Sequence, residues 1–164
     1  MTRRILPAIT EPDQQPNGGN KVSAIAPEQT AAAGTAPVIP SFLELEITGF
    51  CQLNCVHCYA DSGPRGGPST MTTADWERVI DQAAAVGVTM VQFIGGEPTL
   101  DPGLPRLIRH ALGNGLQVYV YSNLVRITPE LWELFSQPGI FLGTSWYSAD
   151  PAAHAMITGS RASY

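Results

Sequence analysis

The sequence predicts an α/β fold in which short parallel strands alternate with helices. Four short segments have the length and apolar character of strands, and they lie at residues 42–48, 89–94, 116–121 and 140–147. Segments with helical apolar periodicity separate them. Strands joined by crossover helices pair in parallel, so we expect one parallel sheet with helices packed against it.

The first strand and the first helix have clear patterns. Residues 42–48 alternate apolar and polar side chains, which is typical of a strand with one buried face. Thr72 and Asp75 form a T-x-x-D capping signal for a helix that Gly87 ends. The predicted apolar stripe of this helix consists of Trp76, Val79, Ile80, Ala83 and Ala84.

The second strand, at residues 89–94, is mostly apolar and is expected to be buried. Asp101 and Pro102 have the residue types preferred at the N-cap and the first position of a second helix. The sequence Gly-Asn-Gly at 113–115 ends that helix. Its predicted apolar stripe consists of Leu104, Leu107, Ile108, Ala111 and Leu112.

The remaining elements follow the same order. Residues 116–121 form the predicted third strand, and Thr128 with Pro129 begins a third helix. Pro-Gly at 138–139 breaks that helix before a fourth strand at 140–147. Asp150 then begins a short helical turn that ends near residue 159.

The first forty residues differ in composition from the rest of the chain. They contain six prolines and the turn-forming run Pro-Asn-Gly-Gly-Asn at 16–20. Such a segment buries too little apolar surface to offset its ordering entropy. The sequence therefore predicts a disordered extension at 1–40 and one globular domain at 41–164.

Composition excludes two classes of function. The net charge is −5 and Lys21 is the single lysine, so we expect no basic surface for nucleic acid. No segment approaches the roughly 18 consecutive apolar residues that span a bilayer. Three cysteines without an export signal suit a reducing compartment, so a cytoplasmic protein is expected.

All three cysteines lie in one short loop after the first strand, at Cys51, Cys55 and Cys58, with the spacing C-x3-C-x2-C. Thiolates are soft ligands that favour iron-sulfur clusters, zinc or copper(I). Three thiolates on a 4Fe-4S cluster leave one iron open, whereas a structural zinc requires a fourth ligand, for which His57 is the candidate. A redox pair of Cys55 and Cys58, or thiols without a ligand role, are further alternatives.

A second motif, Gly95-Gly96-Glu97-Pro98, follows the predicted second strand. Paired glycines allow backbone carbonyls to approach a ligand closely, and Glu97 adds a carboxylate acceptor for a cation. In isolation such a segment is more often a simple turn. Its position after a parallel strand matters, because ligands bind at the carboxyl ends of parallel strands.

Together these motifs resemble those of the radical S-adenosylmethionine (radical SAM) enzymes. The cysteine spacing is similar to their C-x3-C-x-Φ-C signature, with His57 at the Φ position, and residues 95–98 match their GGEP motif. The resemblance covers about residues 42–164. It implies the N-terminal portion, about three and a half β/α units, of a partial (β/α)6 barrel, and hence a truncated chain.

The resemblance implies two cofactors, a 4Fe-4S cluster and S-adenosylmethionine. In the family, three cysteines bind the cluster, and the methionine moiety of S-adenosylmethionine chelates the fourth iron. Residues 95–98 then correspond to the site of its ammonium group. Further polar contacts, to its ribose, carboxylate and adenine, are implied for His57, Ser122, Asn123, Thr144 and Ser145.

The implied activity is radical chemistry. A low-potential donor of the flavodoxin or ferredoxin type supplies an electron, and S-adenosylmethionine is cleaved to a 5′-deoxyadenosyl radical that abstracts hydrogen. The sequence up to Gly159 looks most like bacterial members that modify ribosomally made peptides, often with a C-terminal SPASM domain, which implies a peptide substrate. The alternative is a non-catalytic fragment that binds an iron-sulfur cluster or zinc.

Overall fold

The computed structural model describes residues 38–164, which contain a four-stranded parallel sheet whose strands lie side by side in chain order. The α/β fold predicted from the sequence is confirmed. Two short 3₁₀ helices, Pro98–Leu100 and Arg161–Ser163, accompany the regular elements. These elements are β1 (Phe42–Glu46), α1 (Thr73–Val86), β2 (Met90–Ile94), α2 (Leu104–Gly113), β3 (Gln117–Tyr121), α3 (Pro129–Phe135), β4 (Ile140–Gly143) and α4 (Pro151–Thr158).

The predicted extension falls mainly outside the described residues, which leave out 1–37. Residues 38–40 are exposed and have no regular structure. Among residues 38–164, no helix has the length and apolar character needed to cross a bilayer.

The strands are aligned side by side: Val91 of β2 pairs with Leu43 of β1 and with Val118 of β3. Alternate strand residues are buried against the helices, and Phe93 lies at 0% exposure in this core. Full burial of such a side chain stabilises the fold by roughly 1.5–3 kcal/mol. Because the strands are parallel and in register, their carboxyl ends meet at one edge of the sheet.

The opposite face of the sheet is more open. Tyr119 stacks on Tyr121 and on Phe141, with ring centroids 6.2 and 6.4 Å apart, and the latter two side chains are exposed. On the same face, the side-chain amide of Gln92 donates a 2.9 Å hydrogen bond to Glu44. Helices α1, α2 and α3 therefore cover the other face of the sheet.

Three predicted helix starts are confirmed by their caps. Thr72 and Asp75 form a reciprocal capping box at α1, and Gly87 ends the helix in a left-handed conformation. Thr128 accepts a hydrogen bond from the Leu131 amide at α3, and Asp150 accepts one from the Ala152 amide at α4.

The predicted start of the second helix is wrong. The Asp101 amide closes the preceding 3₁₀ turn onto the Pro98 carbonyl, and its carboxylate accepts a 2.7 Å hydrogen bond from the Gly103 amide. Asp101 and Pro102 therefore belong to the turn that connects the 3₁₀ helix Pro98–Leu100 to the second helix. Helix α2 begins only at Leu104.

The predicted fourth strand is too long, because β4 ends at Gly143 rather than at residue 147. Its last partner is Tyr121, the final residue of β3, and the Ser122 amide closes the ladder on the Gly143 carbonyl at 3.0 Å. Beyond this point β3 turns away, so residues 144–147 have no strand to pair with. Helix α4, in contrast, matches the predicted bounds, with Asp150 as its N-cap and Gly159 as its C-cap.

Candidate functional site

An open cavity of about 460 Å³ lies at the carboxyl edge of the sheet, where the segments after β1, β2, β3 and β4 come together. The structure brings nearly all the predicted site residues to this cavity. Pro98 and Thr144 are the exceptions: Pro98 is buried and begins the 3₁₀ turn, and Thr144 does not line the cavity. The predicted residues that line the cavity are Cys51, Cys55, His57, Cys58, Gly95, Gly96, Glu97, Ser122, Asn123 and Ser145.

The cysteine loop is held at both ends by backbone hydrogen bonds. At its start, the Cys51 amide donates to the Gly63 carbonyl at 3.2 Å. Further along, the amides of Asn54 and Val56 donate to the carbonyls of Thr158 and Ile157, at 3.2 and 3.0 Å. The end of α4 is therefore hydrogen-bonded to the loop on both sides of Cys55.

The next residue, Gly159, permits this contact. Its φ of 71° lies in the left-handed region, and a Cβ added there would meet the Asn54 carbonyl oxygen at 2.9 Å. A side chain at this position would therefore combine backbone strain with a clash against the cysteine loop.

The paired glycines after β2 also serve close packing. A Cβ on Gly95 would lie 2.3 Å from the Thr48 carbonyl oxygen, and one on Gly96 would lie 2.3 Å from that of Phe50. The Gly96 amide donates to the same Thr48 oxygen at 2.7 Å, and the Glu97 amide donates to the Phe50 oxygen at 2.8 Å. The glycines thus let β2 hold the backbone that leads into Cys51.

Glu97 is 1% exposed and links the ends of β2 and β3. One carboxylate oxygen accepts hydrogen bonds from the Thr99 amide, the Thr99 hydroxyl and the Ser122 hydroxyl, at 3.1, 2.6 and 2.7 Å. The other accepts one from the Asn123 amide at 2.7 Å. A carboxylate oxygen offers about two acceptor positions, so the first oxygen is fully used and the second keeps one position.

Ser122 and Asn123 both have partners within the protein. The Ser122 hydroxyl donates to Glu97 and accepts from the Leu124 amide at 3.0 Å. The Asn123 side chain exchanges two hydrogen bonds with Gln52, and its Nδ2 lies 3.6 Å from the Cys51 sulfur. The end of β3 is thereby tied to the cysteine loop.

Ser145 and His57 reach the cavity from irregular segments. Ser145 lines it two residues after the end of β4, whereas its neighbour Thr144 does not. The ring of His57 packs edge-on against Tyr147, with centroids 4.8 Å apart. This contact connects the cysteine loop to the segment between β4 and α4.

The three thiols are free, and the surroundings of Cys51 and Cys55 disfavour the thiolate. Burial raises the pKa of Cys51; the Leu53 amide opposes this effect, while Glu97 and the other two cysteines raise it further. The pKa of Cys55 is raised by burial and then by Cys58. Binding of a cationic metal centre would offset these repulsions and release protons.

Within residues 38–164, no three histidine, cysteine or acidic side chains are grouped closely enough to hold a single metal ion. A 4Fe-4S cluster makes a different demand, since each cysteine binds a separate iron of the cube. The donor set therefore has the chemistry of a cluster site: three soft ligands on one loop around one cavity.

The cavity also contains residues that the sequence reasoning missed. His154 is 2% exposed, its Nδ1 has no hydrogen-bond partner in the described structure, and its ring packs among Trp146, Tyr147 and Tyr164. Gln52 does not line the cavity but bonds to Asn123, and its place inside the cysteine motif was the available signal for it. For His154 the sequence gives no comparable signal. The other missed lining residues include Gln92, Tyr121, Tyr147 and Thr158.

The family of this chain follows from its similarity to known proteins. A family model described as the radical SAM superfamily matches residues 45–164. The chain belongs to the radical SAM superfamily. The resemblance inferred from the cysteine loop and the GGEP motif is therefore confirmed.

Several curated radical SAM relatives are similar over part of their length. A PqqA peptide cyclase of Rhodopseudomonas palustris is 33% identical over 62% of this chain and 27% of its own length. The mycofactocin maturase MftC of Mycobacterium tuberculosis H37Rv is 38% identical over 56% and 23%. An AdoMet-dependent heme synthase of Methanosarcina barkeri is 32% identical over 62% and 29%. The chain thus spans about a quarter of the length of these relatives.

Solved structures support the radical SAM fold. The crystal structure of Streptococcus suis SuiB bound to S-adenosylmethionine superimposes with a TM-score of 0.68 at 24% identity, covering 76% of this chain and 29% of SuiB. SuiB bound to its precursor peptide SuiA gives the same TM-score. At this identity the likeness establishes the fold, and it matches the partial barrel expected from the sequence.

Proposed function

We propose that this chain binds a 4Fe-4S cluster through Cys51, Cys55 and Cys58, and S-adenosylmethionine in the adjoining cavity. The observation that carries the proposal is the convergence of the cysteine loop and the Gly95–Glu97 segment on one cavity, in a member of the radical SAM superfamily. When bound, a cluster with one open iron supplies the electron that cleaves S-adenosylmethionine to methionine and a 5′-deoxyadenosyl radical.

The site has acceptors for the ammonium group of S-adenosylmethionine. The four hydrogen bonds to Glu97 direct its carboxylate toward Thr99, Ser122 and Asn123. The carbonyl oxygens of Gly95 and Gly96 accept no hydrogen bond from the described residues. We therefore assign the cationic contact to these carbonyls, with Glu97 fixing the segment that presents them.

The other contacts to S-adenosylmethionine remain predictions. Ser145 lines the cavity and offers a hydroxyl for the carboxylate or ribose, and the backbone at His57 offers polar groups for adenine. Ser122 and Asn123 already have partners, so a contact with the cofactor would require each of them to exchange one.

We propose a peptide as the substrate of hydrogen abstraction. One similar relative is named a PqqA peptide cyclase and another a mycofactocin maturase, and SuiB has been crystallised with a precursor peptide. In this chain the open sheet face adjoins the cavity through Gln92 and Tyr121, which line it. The aromatic rings and carboxylate of that face can contact an extended peptide. The electron donor is proposed to be a flavodoxin or ferredoxin.

Anaerobic reconstitution with iron and sulfide, followed by reduction with dithionite, tests this function. We expect the wild-type chain to release 5′-deoxyadenosine from S-adenosylmethionine, and the Cys55→Ser variant to release none. Thr70→Ser is the control, because Thr70 is exposed and does not line the cavity. A chain that holds the cluster yet releases no 5′-deoxyadenosine would favour the non-catalytic alternative.

A further inference from the structure

The side-chain amide of Asn123 has a defined orientation. Its Oδ1 accepts hydrogen bonds from the Val125 amide at 3.1 Å and from Gln52 Nε2 at 3.0 Å. A backbone N–H can only donate, so the group facing Val125 must be the oxygen. The amide nitrogen Nδ2 therefore points the other way, toward Gln52 Oε1 at 3.3 Å and the Cys51 sulfur at 3.6 Å.

Neighbouring groups hold Asn123 in this position. Its own backbone amide donates to the buried Glu97 carboxylate at 2.7 Å. The two-way hydrogen bonding with Gln52 fixes the side chain against a residue next to Cys51. An N–H donor is thus presented to the Cys51 sulfur by a residue 72 positions away along the chain.

The three cysteines differ in the donors that reach their sulfur atoms. Cys51 receives the Leu53 amide at 3.4 Å as well as Asn123 Nδ2. Around Cys55, the flanking amides of Asn54 and Val56 are directed to carbonyls of α4 instead. Within the described residues, Cys51 is therefore the cysteine whose sulfur receives a side-chain N–H donor.

We propose that Asn123 is a positioning residue that tunes the reduction potential of the cluster through its hydrogen bond to Cys51. N–H donors stabilise negative charge on a thiolate sulfur, and the reduced cluster carries more negative charge than the oxidised one. Asn123 therefore makes reduction easier. This inference rests on the proposed cluster and gives Asn123 a role that does not require contact with S-adenosylmethionine.

The test is a redox titration of the reconstituted cluster, followed by electron paramagnetic resonance without S-adenosylmethionine. Asn123→Ala removes the donor, and we expect its midpoint potential to become more negative. A tenfold change in the reduction equilibrium corresponds to about 59 mV for one electron, and the expected shift is of this order. Asn114→Ala is the matched control, because among the described residues the Asn114 side chain bonds to Asp81 and the His110 carbonyl and does not line the cavity.

A second variant guards against poor cluster assembly. Asn123→Asp keeps the size of the side chain and the acceptor for the Val125 amide, and it puts a carboxylate oxygen in the place of the N–H donor. We expect its midpoint potential to become more negative as well. Iron and sulfide content are measured for each protein. Potentials equal to wild type in both variants, or weaker S-adenosylmethionine binding as the sole change, would overturn the inference. A wild-type chain that takes up no cluster would instead overturn the proposed function.

Discussion

Gly96 and Phe50 meet so closely that a Cβ on the glycine would lie 2.3 Å from the Phe50 carbonyl oxygen. The contact joins the end of β2 to the residue that precedes Cys51. Glycine in this part of the GGEP motif is therefore required by packing as well as by any ligand. The position of the first cysteine depends on it.

Gly96→Ala is expected to destabilise the protein by about 1–3 kcal/mol, because the extra methyl forces backbone to shift. We also expect a several-fold lower iron content after reconstitution, since Cys51 moves with Phe50. Gly67→Ala is the control, because a Cβ there would meet no atom within 4 Å. Urea unfolding and iron analysis measure the two effects. Equal behaviour of the two variants would contradict this role for Gly96.

Glu97→Gln tests the buried carboxylate. A carboxamide has one oxygen where the carboxylate has two, so its NH₂ group would face either the Asn123 amide or the donors from Thr99 and Ser122. An unsatisfied buried donor costs about 1–3 kcal/mol, and we expect this loss in the free energy of unfolding. Glu133→Gln, on the exposed surface of α3, is expected to change little. Similar values for the two variants would mean that Glu97 does not organise the strand ends.

The contact between α4 and the cysteine loop predicts an effect of Gly159→Ala on the loop. Gly115→Ala is the matched control: both glycines have a positive φ, 71° and 77°, but a Cβ at 115 would meet nothing within 4 Å. Both variants should lose roughly 1–2 kcal/mol from backbone strain. Faster amide hydrogen exchange at Asn54 and Val56 is expected for Gly159→Ala alone. Unchanged exchange there would show that α4 does not hold the loop.

The capping box of α1 predicts a pH dependence of stability. Hydrogen bonds from the Thr72 side chain and then its backbone amide lower the pKa of Asp75, and Arg78 lowers it further. A carboxyl whose pKa is lowered by folding stabilises the protein above its unfolded pKa of about 3.9, and this stability is lost as the pH falls through the folded value. Asp75→Asn should therefore be less stable than wild type at pH 7, with the difference shrinking below pH 4. Urea midpoints across this range measure it, and a constant difference would contradict it.

The parts of the fold that the sequence predicted are local. The capping box of Thr72 and Asp75 spans four residues, the first strand follows from alternation over residues 42–48, and the second follows from a short apolar run at 89–94. One error arises where a distant partner decides: strand β4 ends at Gly143 because β3 ends at Tyr121. The other is local, because Asp101 takes part in the turn before α2 and so does not begin that helix.

The site was predictable as a set of motifs and not as a set of contacts. The cysteine spacing and the glycine pair are visible in the sequence because each lies in one short segment. The bond between Asn123 and Cys51 and the burial of His154 depend on how the strand ends and α4 come together. No short sequence window contains both partners of such a contact.

The most direct measurement is electron paramagnetic resonance of the reconstituted, dithionite-reduced chain, recorded with and without S-adenosylmethionine. We expect a 4Fe-4S signal that changes when S-adenosylmethionine is added, because three cysteines leave one iron open to the cavity. A cluster signal that S-adenosylmethionine does not change, or zinc bound in place of iron, would contradict the proposed cluster with an open iron.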